Sequence, residues 1–265
     1  MSENLTPQIR TDIPHSARIW NYWMGGKDNY EVDRVVGEAS LQVDPDISTM
    51  AVQSRQFLIR AVTYLAQEAG VRQFLDIGTG LPTMQNTHEV AQGIAPESKI
   101  VYVDNDPLVL TYARALLNST TNEGVTTYVD CDYHDPEQII ADARNVLNFD
   151  KPIGVMFMGV LGHAKTYEDM LRIVRTVVDA VPSGSYLILW DGTDDSLAYV
   201  TLCENYTNSG GVPYVPRPQA QIRAAFDDLE LVEPGFVSIT EWRSGDTQVG
   251  ETRPISAYGA VARKP

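Results

Sequence analysis

The sequence has few cysteines, few basic residues and no long hydrophobic run. Its two cysteines, Cys131 and Cys203, are too few for a disulfide framework, and their spacing matches no metal-binding motif. The longest apolar stretch, residues 153–162, is too short for a membrane-spanning helix, which takes roughly 20 residues. No basic region followed by an apolar core opens the chain, so no signal peptide is expected. We therefore expect a cytoplasmic protein with no membrane partner and no bound metal.

The charge balance is strongly acidic. The chain has 20 Lys and Arg against 35 Asp and Glu, a formal net charge of -15. Binding to nucleic-acid phosphates requires a local excess of positive charge, so nucleic acid is not expected as a partner. A neutral or cationic small molecule is better suited to the negative electrostatic field of such a chain. With 265 residues the chain is long enough for one large domain or two small ones, and it indicates no particular oligomeric state.

The stretch that organises the chain is residues 74–82, Phe-Leu-Asp-Ile-Gly-Thr-Gly-Leu-Pro. An apolar run that ends in an acid and two closely spaced glycines is typical of a buried parallel strand turning near a ligand. The next apolar run ends in Asp104, about where nucleoside-binding folds keep an acid for the ribose. Because Gly-x-Gly-x-x-Gly is absent, a dinucleotide is the less favoured ligand.

Strands and helices alternate after residue 73. The apolar patterns predict strands over residues 73–77, 99–103, 125–129, 153–158 and 186–190. Helices are predicted over residues 51–69, from 87, and over 107–118, 136–147, 167–180 and 218–226. Two β-rich segments, 229–242 and 255–263, with Gly245 and Asp246 between them, predict an antiparallel pair at one sheet edge. Residues 191–216 interrupt this order and are interpreted as an insertion above the sheet.

An unusual aromatic segment lies near the N-terminus. Ile19, Trp20 and Trp23 have helical spacing, and Gly25-Gly26 ends that helix just before Lys27. One interpretation is a lid over a binding site, and the other is a helix whose tryptophans pack on the main domain. We assign residues 1–50 to an N-terminal helical lid and residues 51–265 to the main domain.

Four stretches together resemble the S-adenosyl methyltransferase family, formerly catalogued as a domain of unknown function: residues 14–29, 73–82, 86–92 and 101–107. The resemblance covers nearly the whole chain, and the N-terminal motif is its most specific mark. It implies an α/β, Rossmann-like class I methyltransferase fold: a mostly parallel seven-stranded sheet, an antiparallel edge hairpin and an N-terminal helical lid. It also implies S-adenosyl-L-methionine (SAM) as cofactor and S-adenosyl-L-homocysteine (SAH) as product. Pro82 replaces the third glycine of the common Gly-x-Gly-x-Gly pattern, a change compatible with a helix start.

The resemblance implies a cofactor-binding role for ten residues: Asp76, Gly78, Thr79, Gly80, Asp104, Asn105, Asp132, Tyr133, Met158 and Gly159. The first four would face the methionine and ribose portion, the glycines because a side chain would collide with the ligand. Asp104 would accept hydrogen bonds from the ribose hydroxyls, with Asn105 beside the adenine. Asp132 would meet the adenine amino group, and Tyr133 would lie in its neighbourhood. Met158 and Gly159 would line the site under the sulfonium.

Methyl transfer from a sulfonium needs mainly alignment and exclusion of water, with a general base only where the acceptor must lose a proton. His163, just past the fourth predicted strand, is the best-placed candidate base, and the alternative is a loop histidine that caps a helix. His134 is the next candidate, whereas His88 is expected on a helix. The residues expected at the substrate or in the lid are His15, Tyr22, Gly25, Gly26, Lys27, Asp191, Tyr206 and Tyr214.

Three hypotheses about function follow. The first is a SAM-dependent methyltransferase acting on a small molecule enclosed by the N-terminal lid and the 191–216 insertion. The second is a protein that binds SAM or SAH as a regulatory or partner-binding module without turnover. The third is a nicotinamide-dependent reductase.

Overall fold

The structure is a computed structural model, and it describes residues 9–82, 85–116, 119–245 and 253–265. The helices are α1 Ser16–Trp23, α2 Glu31–Val43, α3 Ile47–Gln67, α4 Thr87–Ile94, α5 Pro107–Leu116, α6 Pro136–Ala143, α7 Tyr167–Ala180, α8 Leu197–Asn208 and α9 Gln219–Arg223. The strands are β1 Gln73–Ile77, β2 Lys99–Asp104, β3 Val125–Asp130, β4 Gly154–Met158, β5 Tyr186–Gly192, β6 Glu230–Leu231, β7 Val237–Ser238 and β8 Ala257–Arg263. Short 3₁₀ turns cover Leu161–His163 and Ala224–Phe226.

One mixed sheet organises the fold, with the strand order β3-β2-β1-β4-β5-β8-β6. The first five strands along the chain are parallel, and β8 joins β5 in the antiparallel sense. The predicted α/β fold with a mostly parallel sheet and an antiparallel edge is therefore confirmed. Because the carboxyl ends of the parallel strands lie on one side of the sheet, the turns after β1, β2 and β4 are brought together there.

The antiparallel edge differs from the prediction in detail. The segment predicted as one strand over residues 229–242 forms two short strands, β6 and β7, and both pair with β8. Glu233-Pro234-Gly235 separates them, and proline has no backbone N–H to give to a ladder. The sheet thus has eight strands in seven lateral positions. Asp246, expected in the connection before β8, lies outside the described residues.

Both faces of the sheet are buried. Along β5, Ile188 and Trp190 contact one apolar cluster, and Leu187 and Leu189 contact the other. This alternation is the period of two of an extended strand, and a layer of helices covers each face. Within the described residues, no helix is both long enough and apolar enough to cross a membrane.

Helix α3 begins earlier than the sequence predicted. It starts at Ile47 rather than Ala51, because residues before the predicted start continue its buried face: Ile47 and Met50 are 1% and 2% exposed. The predicted boundary between lid and main domain, at residue 50, therefore falls inside this helix. The N-terminal extension that precedes it consists of α1 and α2.

A buried ion pair fixes α1 to α2. Asp33 is fully buried, and its carboxylate lies 3.0 Å from Arg18 Nε. The same carboxylate accepts hydrogen bonds from the backbone N–H groups of His15, at 3.0 Å, and Tyr30, at 2.9 Å. The Arg18 guanidinium also donates to the carbonyls of Arg10 and Ile13. This network sets the position of α1 over the carboxyl end of the sheet.

Removing the acid should cost much stability. We expect Asp33→Ala to lower the free energy of unfolding by about 3–5 kcal/mol, because it leaves a buried guanidinium without its counter-charge. The matched control is Glu31→Ala, which breaks the exposed pair of Glu31 and Arg34 and should cost at most about 1 kcal/mol. Chemical denaturation measures both. Equal losses in the two variants would contradict the role given to Asp33.

Candidate active site

A cavity of ≈ 320 Å³ opens at the carboxyl ends of the parallel strands, which we call the first cavity. The turn after β1, the ends of β2 and β4, and the loop after β3 form its floor, and α1 forms part of its wall. Its size lies in the range of about 300–1,000 Å³ usual for small-molecule sites. All ten residues assigned to cofactor binding line it: Asp76, Gly78, Thr79, Gly80, Asp104, Asn105, Asp132, Tyr133, Met158 and Gly159.

The turn after β1 depends on two glycines in left-handed conformations. Gly78 has φ 73° and Gly80 has φ 68°, a region that side chains rarely occupy. A Cβ on Gly78 would lie 2.4 Å from Val160 Cγ2. The protein's own packing therefore requires glycine at this position, whether or not a ligand is bound. Thr79 Oγ1 closes the turn by donating to the carbonyl of Asp76 at 3.0 Å.

Asp104, at the end of β2, is held by backbone donors. Its Oδ2 accepts from Gly80 N at 2.8 Å, and its Oδ1 accepts from Asp106 N at 3.0 Å. Burial raises the pKa of this carboxyl, whereas the two N–H groups act in the opposite direction. Because a carboxylate oxygen accepts two hydrogen bonds, each keeps capacity for one donor from a ligand.

Asp76, inside β1, is more deeply buried. It is 3% exposed, and its Oδ2 accepts from Thr87 Oγ1 at 2.7 Å. Burial raises its pKa to about 6, while the Thr87 hydrogen bond and the charge of Arg55 oppose that shift. Asp76 is thus an acidic group kept largely out of water.

The outer rim of the first cavity is polar and aromatic. Asp132 is exposed, and its Oδ1 accepts from His134 N at 2.9 Å and lies 2.7 Å from His134 Nδ1. The Tyr133 and His134 rings lie with their centroids 4.1 Å apart. Asn105 is exposed at the same rim. This rim offers a flat surface with acceptor oxygens beside it.

His163 lines the cavity from the 3₁₀ turn that follows β4. Its Nδ1 is 2.9 Å from the carbonyl of Pro213, which can only accept, so Nδ1 carries the proton and Nε2 has the free lone pair. The ring also meets Tyr214 edge-on, with centroids 5.1 Å apart. Burial lowers the pKa of His163, so the ring is neutral at physiological pH. A neutral imidazole with a free Nε2 can accept a proton.

A second cavity, of ≈ 40 Å³, adjoins the first. Three residues line both cavities: Ser16 and Trp20 of α1, and His163. The rest of its lining is apolar or aromatic: Ile19, Trp23, Ile47, Tyr199, Leu202, Cys203, Tyr206 and Tyr214. The second cavity therefore lies between the predicted lid and the predicted insertion, with His163 at the junction.

Several residues expected at the substrate lie elsewhere. Tyr22 donates to Glu38 at 2.9 Å, and Lys27 is exposed, so neither contributes to the cavity linings. Gly25 and Gly26 end α1 as predicted but are also outside the linings. These residues were assigned to the site because they belong to the N-terminal motif. Within that motif, the residues that line the cavities are in α1 or next to it.

Asp191 was expected in a loop after the fifth strand, but β5 continues through Gly192, so Asp191 is inside the strand. It is 1% exposed and accepts a short hydrogen bond from Tyr214 Oη and another from Gly192 N at 3.0 Å. Burial raises its pKa to about 6. Asp191 is outside both linings and reaches the second cavity only through Tyr214.

Histidines and one arginine complete the first cavity. His15 lines it, with Nδ1 3.0 Å from Asp106 Oδ2, and His134 lines its rim. His88 is in α4 as expected, buried with Nδ1 2.9 Å from Tyr102 Oη. The sequence reasoning missed Arg55, which lines the cavity and lies three residues before Leu58 of the apolar stripe of α3. A charge in that apolar stripe was the available signal.

No group of three or more metal-ligating side chains occurs among the described residues.

Comparison with known proteins decides the family. The family model for S-adenosyl methyltransferase matches residues 2–265. The chain belongs to this family. The family and its fold set aside the hypothesis of a nicotinamide-dependent reductase, in agreement with the absence of Gly-x-Gly-x-x-Gly.

Solved structures agree with the family assignment. A DUF574 family protein from Streptomyces avermitilis is 41% identical, with a TM-score of 0.90 over 97% of this chain and 100% of that one. A protein from Thermobifida fusca YX is 37% identical, with a TM-score of 0.88 over 99% of each chain. The plantazolicin methyltransferase BpumL, solved with SAH, is 11% identical, with a TM-score of 0.52 over 94% of this chain and 96% of that one, and shows the fold alone. A search of the curated proteins finds no match.

The pKa of Asp76 predicts a pH dependence of stability. The carboxyl ionises near pH 4 in the unfolded chain and at about 6 in the folded one, so the folded state binds more protons between these values. Ionisation of Asp76 therefore lowers the free energy of unfolding progressively as pH rises from about 4 to 6. Above about pH 6 the whole of this loss is present. Relative to the wild type, Asp76→Asn should gain up to about 3 kcal/mol across this window, at 1.36 kcal/mol per pKa unit. Denaturation at several pH values tests this, and a pH-independent difference would contradict it.

Proposed function

We propose that this protein transfers a methyl group from SAM in the first cavity to a small, neutral acceptor at the second cavity, with His163 as general base. The observation that carries the proposal is the junction of the two cavities at Ser16, Trp20 and His163. A donor bound in the first cavity and an acceptor reaching in from the second would meet at the base.

The residues of the first cavity fit SAM. Asp104 has acceptor capacity left on both carboxylate oxygens, as two adjacent ribose hydroxyls require. The backbone of the Gly78–Gly80 turn presents no side chain larger than threonine. The Tyr133 ring and the Asp132 carboxylate at the rim suit a flat base with an exocyclic amino group. Met158 and Gly159, at the end of β4, also line the cavity, and Gly159 packs against Trp190, which contacts Trp20.

SAM supplies a methyl group that its positive sulfur has already activated, so the protein's task is to align the acceptor and exclude water. Trp20 supports both tasks. Its ring packs edge-on against Trp23 and Trp190, with centroids 5.6 and 5.9 Å away, which fixes an aromatic wall at the junction. An aromatic face at this point also attracts positive charge.

His163 has the features of a base for an acceptor with an acidic O–H or N–H. Pro213 fixes the tautomer, and the pKa lowered by burial keeps the ring unprotonated. The acceptor proton would pass to Nε2 as the acceptor atom bonds to the methyl carbon, and the electron pair of the broken carbon–sulfur bond would stay on sulfur. Proton transfer of this kind contributes about 10²–10⁴-fold to rate.

The loop that carries His163 is firmly held. The guanidinium of Arg217, 4% exposed, donates to the carbonyls of Leu161, at 3.0 Å, and Ala164. Val215 N donates to Gly162 O at 2.7 Å. The insertion that encloses the second cavity, together with Arg217 just after it, therefore also positions the proposed base.

The lining of the second cavity supports a neutral acceptor. No Asp, Glu, Lys or Arg is among the described residues that line it, so an ionic group would lose its hydration there without a counter-charge. Five aromatic side chains surround it: Trp20, Trp23, Tyr199, Tyr206 and Tyr214. At ≈ 40 Å³ it has room for only the reacting end of an acceptor.

The proposal predicts a specific defect for His163→Gln. Turnover of methyl-labelled SAM with a small-molecule extract of the source organism should fall at least about 100-fold, because the base is lost. The affinity for SAH should stay within about twofold, since glutamine occupies a similar volume. Scintillation counting and calorimetry measure the two quantities.

Two outcomes would count against this proposal. Undiminished turnover in His163→Gln would show that His163 is not the general base. Tight SAH binding by the wild type, with no compound ever labelled, would favour instead a protein that binds the cofactor as a regulatory module without turnover.

A further inference from the structure

Asp191 and Tyr214 form a pair that the proposed methyl transfer does not yet use. Asp191 lies inside β5, is 1% exposed, and accepts a short hydrogen bond at Oδ1 from Tyr214 Oη. Gly192 N donates to the same tyrosine oxygen at 3.0 Å. The other carboxylate oxygen of Asp191, Oδ2, is buried and has no hydrogen-bond partner among the described residues. Burying an acid with one oxygen unpaired is unfavourable, so stabilisation of the fold is the weaker explanation of this pair.

Tyr214 belongs to a strap, residues 210–217, that lies against the turn carrying His163. Pro213 O, one residue before Tyr214, lies 2.9 Å from His163 Nδ1. The Tyr214 ring packs on Gly162, where a Cβ would lie 2.2 Å from the ring Cζ, and it meets the His163 ring edge-on. Tyr214 therefore links strand β5 to the carbonyl that binds His163.

The position of the Pro213 carbonyl depends on the side of the strap that contains Tyr214. Residues 212–213 form no backbone-to-backbone hydrogen bond with any described residue, and the Gly-Gly pair before them restrains the chain little. On the other side, Val215 N donates to Gly162 O at 2.7 Å. The carbonyl is thus held from one side, through Tyr214 and the residues that follow it.

We propose that Asp191 and Tyr214 are positioning residues for the general base: their hydrogen bond holds Pro213 O against His163 Nδ1 and so keeps the proton on that nitrogen. The inference rests on the proposed role of His163. With the proton fixed on Nδ1, the lone pair is on Nε2, the nitrogen that would take the acceptor's proton. A carboxylate outside both cavity linings thereby determines the tautomer of the base.

Nitrogen-15 NMR of histidine-labelled protein measures the tautomer, because a protonated ring nitrogen and one with a free lone pair resonate apart. The chain has four histidines, and the spectrum of His163→Gln identifies the signals of His163 by their absence. In the wild type we expect the proton on Nδ1. In Tyr214→Phe, which removes only the hydroxyl, we expect the tautomer protonated on Nε2 to become populated, with a shift of both nitrogen signals.

Three further variants separate positioning from general damage. Asp191→Ala removes the acceptor of the same hydrogen bond, so it should reproduce the shift, and it carries the test if Tyr214→Phe does not fold. Asp191→Asn keeps an acceptor oxygen and should keep the wild-type signals. Tyr22→Phe is the control, because its hydroxyl donates to Glu38 outside both linings and its loss should leave His163 unchanged.

Calorimetric titration of SAH adds a second readout. Tyr214 lines the second cavity and not the first, so Tyr214→Phe should leave the affinity for SAH unchanged while it shifts the His163 signals. A loss of SAH affinity together with the shift would indicate general damage to the site and would overturn the positioning role.

A proton that stays on His163 Nδ1 in both Tyr214→Phe and Asp191→Ala would overturn this inference and leave the proposed methyl transfer in place. Undiminished turnover in His163→Gln would overturn the base, and this inference with it. The two failures are distinguishable, because the tautomer is measured without SAM or an acceptor.

Discussion

The hydrogen bond from Gly80 N to Asp104 Oδ2, at 2.8 Å, is the contact on which the site depends. It joins the glycine turn after β1 to the acid that ends β2, and so converts two adjacent strand ends into one rigid floor. Asp106 N holds the other carboxylate oxygen. The carboxylate is thereby oriented before any ligand arrives, and such preorganisation reduces the ordering cost of binding.

The N-terminal helix completes this floor. Its Ala17 lies against Gly80, and His15 reaches Asp106, the residue whose backbone N–H binds Asp104. The buried pair of Arg18 and Asp33 fixes α1 from behind. The same helix supplies Trp20 to both cavities, so one element determines the wall of the proposed donor site and the entrance to the proposed acceptor site.

The sequence predicted the five parallel strands, because a buried parallel strand is a short apolar run, and it misplaced mainly the end of β5, which continues through Asp191 to Gly192. It could not predict features that depend on how distant segments pack. Arg55 lines the cavity only because α3 packs against α1, α4 and β4, and Lys27 is exposed because α1 ends before it. Asp191 lies outside the cavity linings because it is inside β5, where it accepts a hydrogen bond from Tyr214, 23 residues later.

The most direct test of this account is a calorimetric titration of SAH against Asp104→Ala and Asp130→Ala. Asp130 pairs with Asp104 in register across β2 and β3, but it is exposed and outside the cavity lining, so it is a matched control. The account predicts that Asp104→Ala weakens binding at least tenfold, whereas Asp130→Ala changes it less than twofold. Unchanged affinity in Asp104→Ala, or equal losses in the two variants, would contradict it.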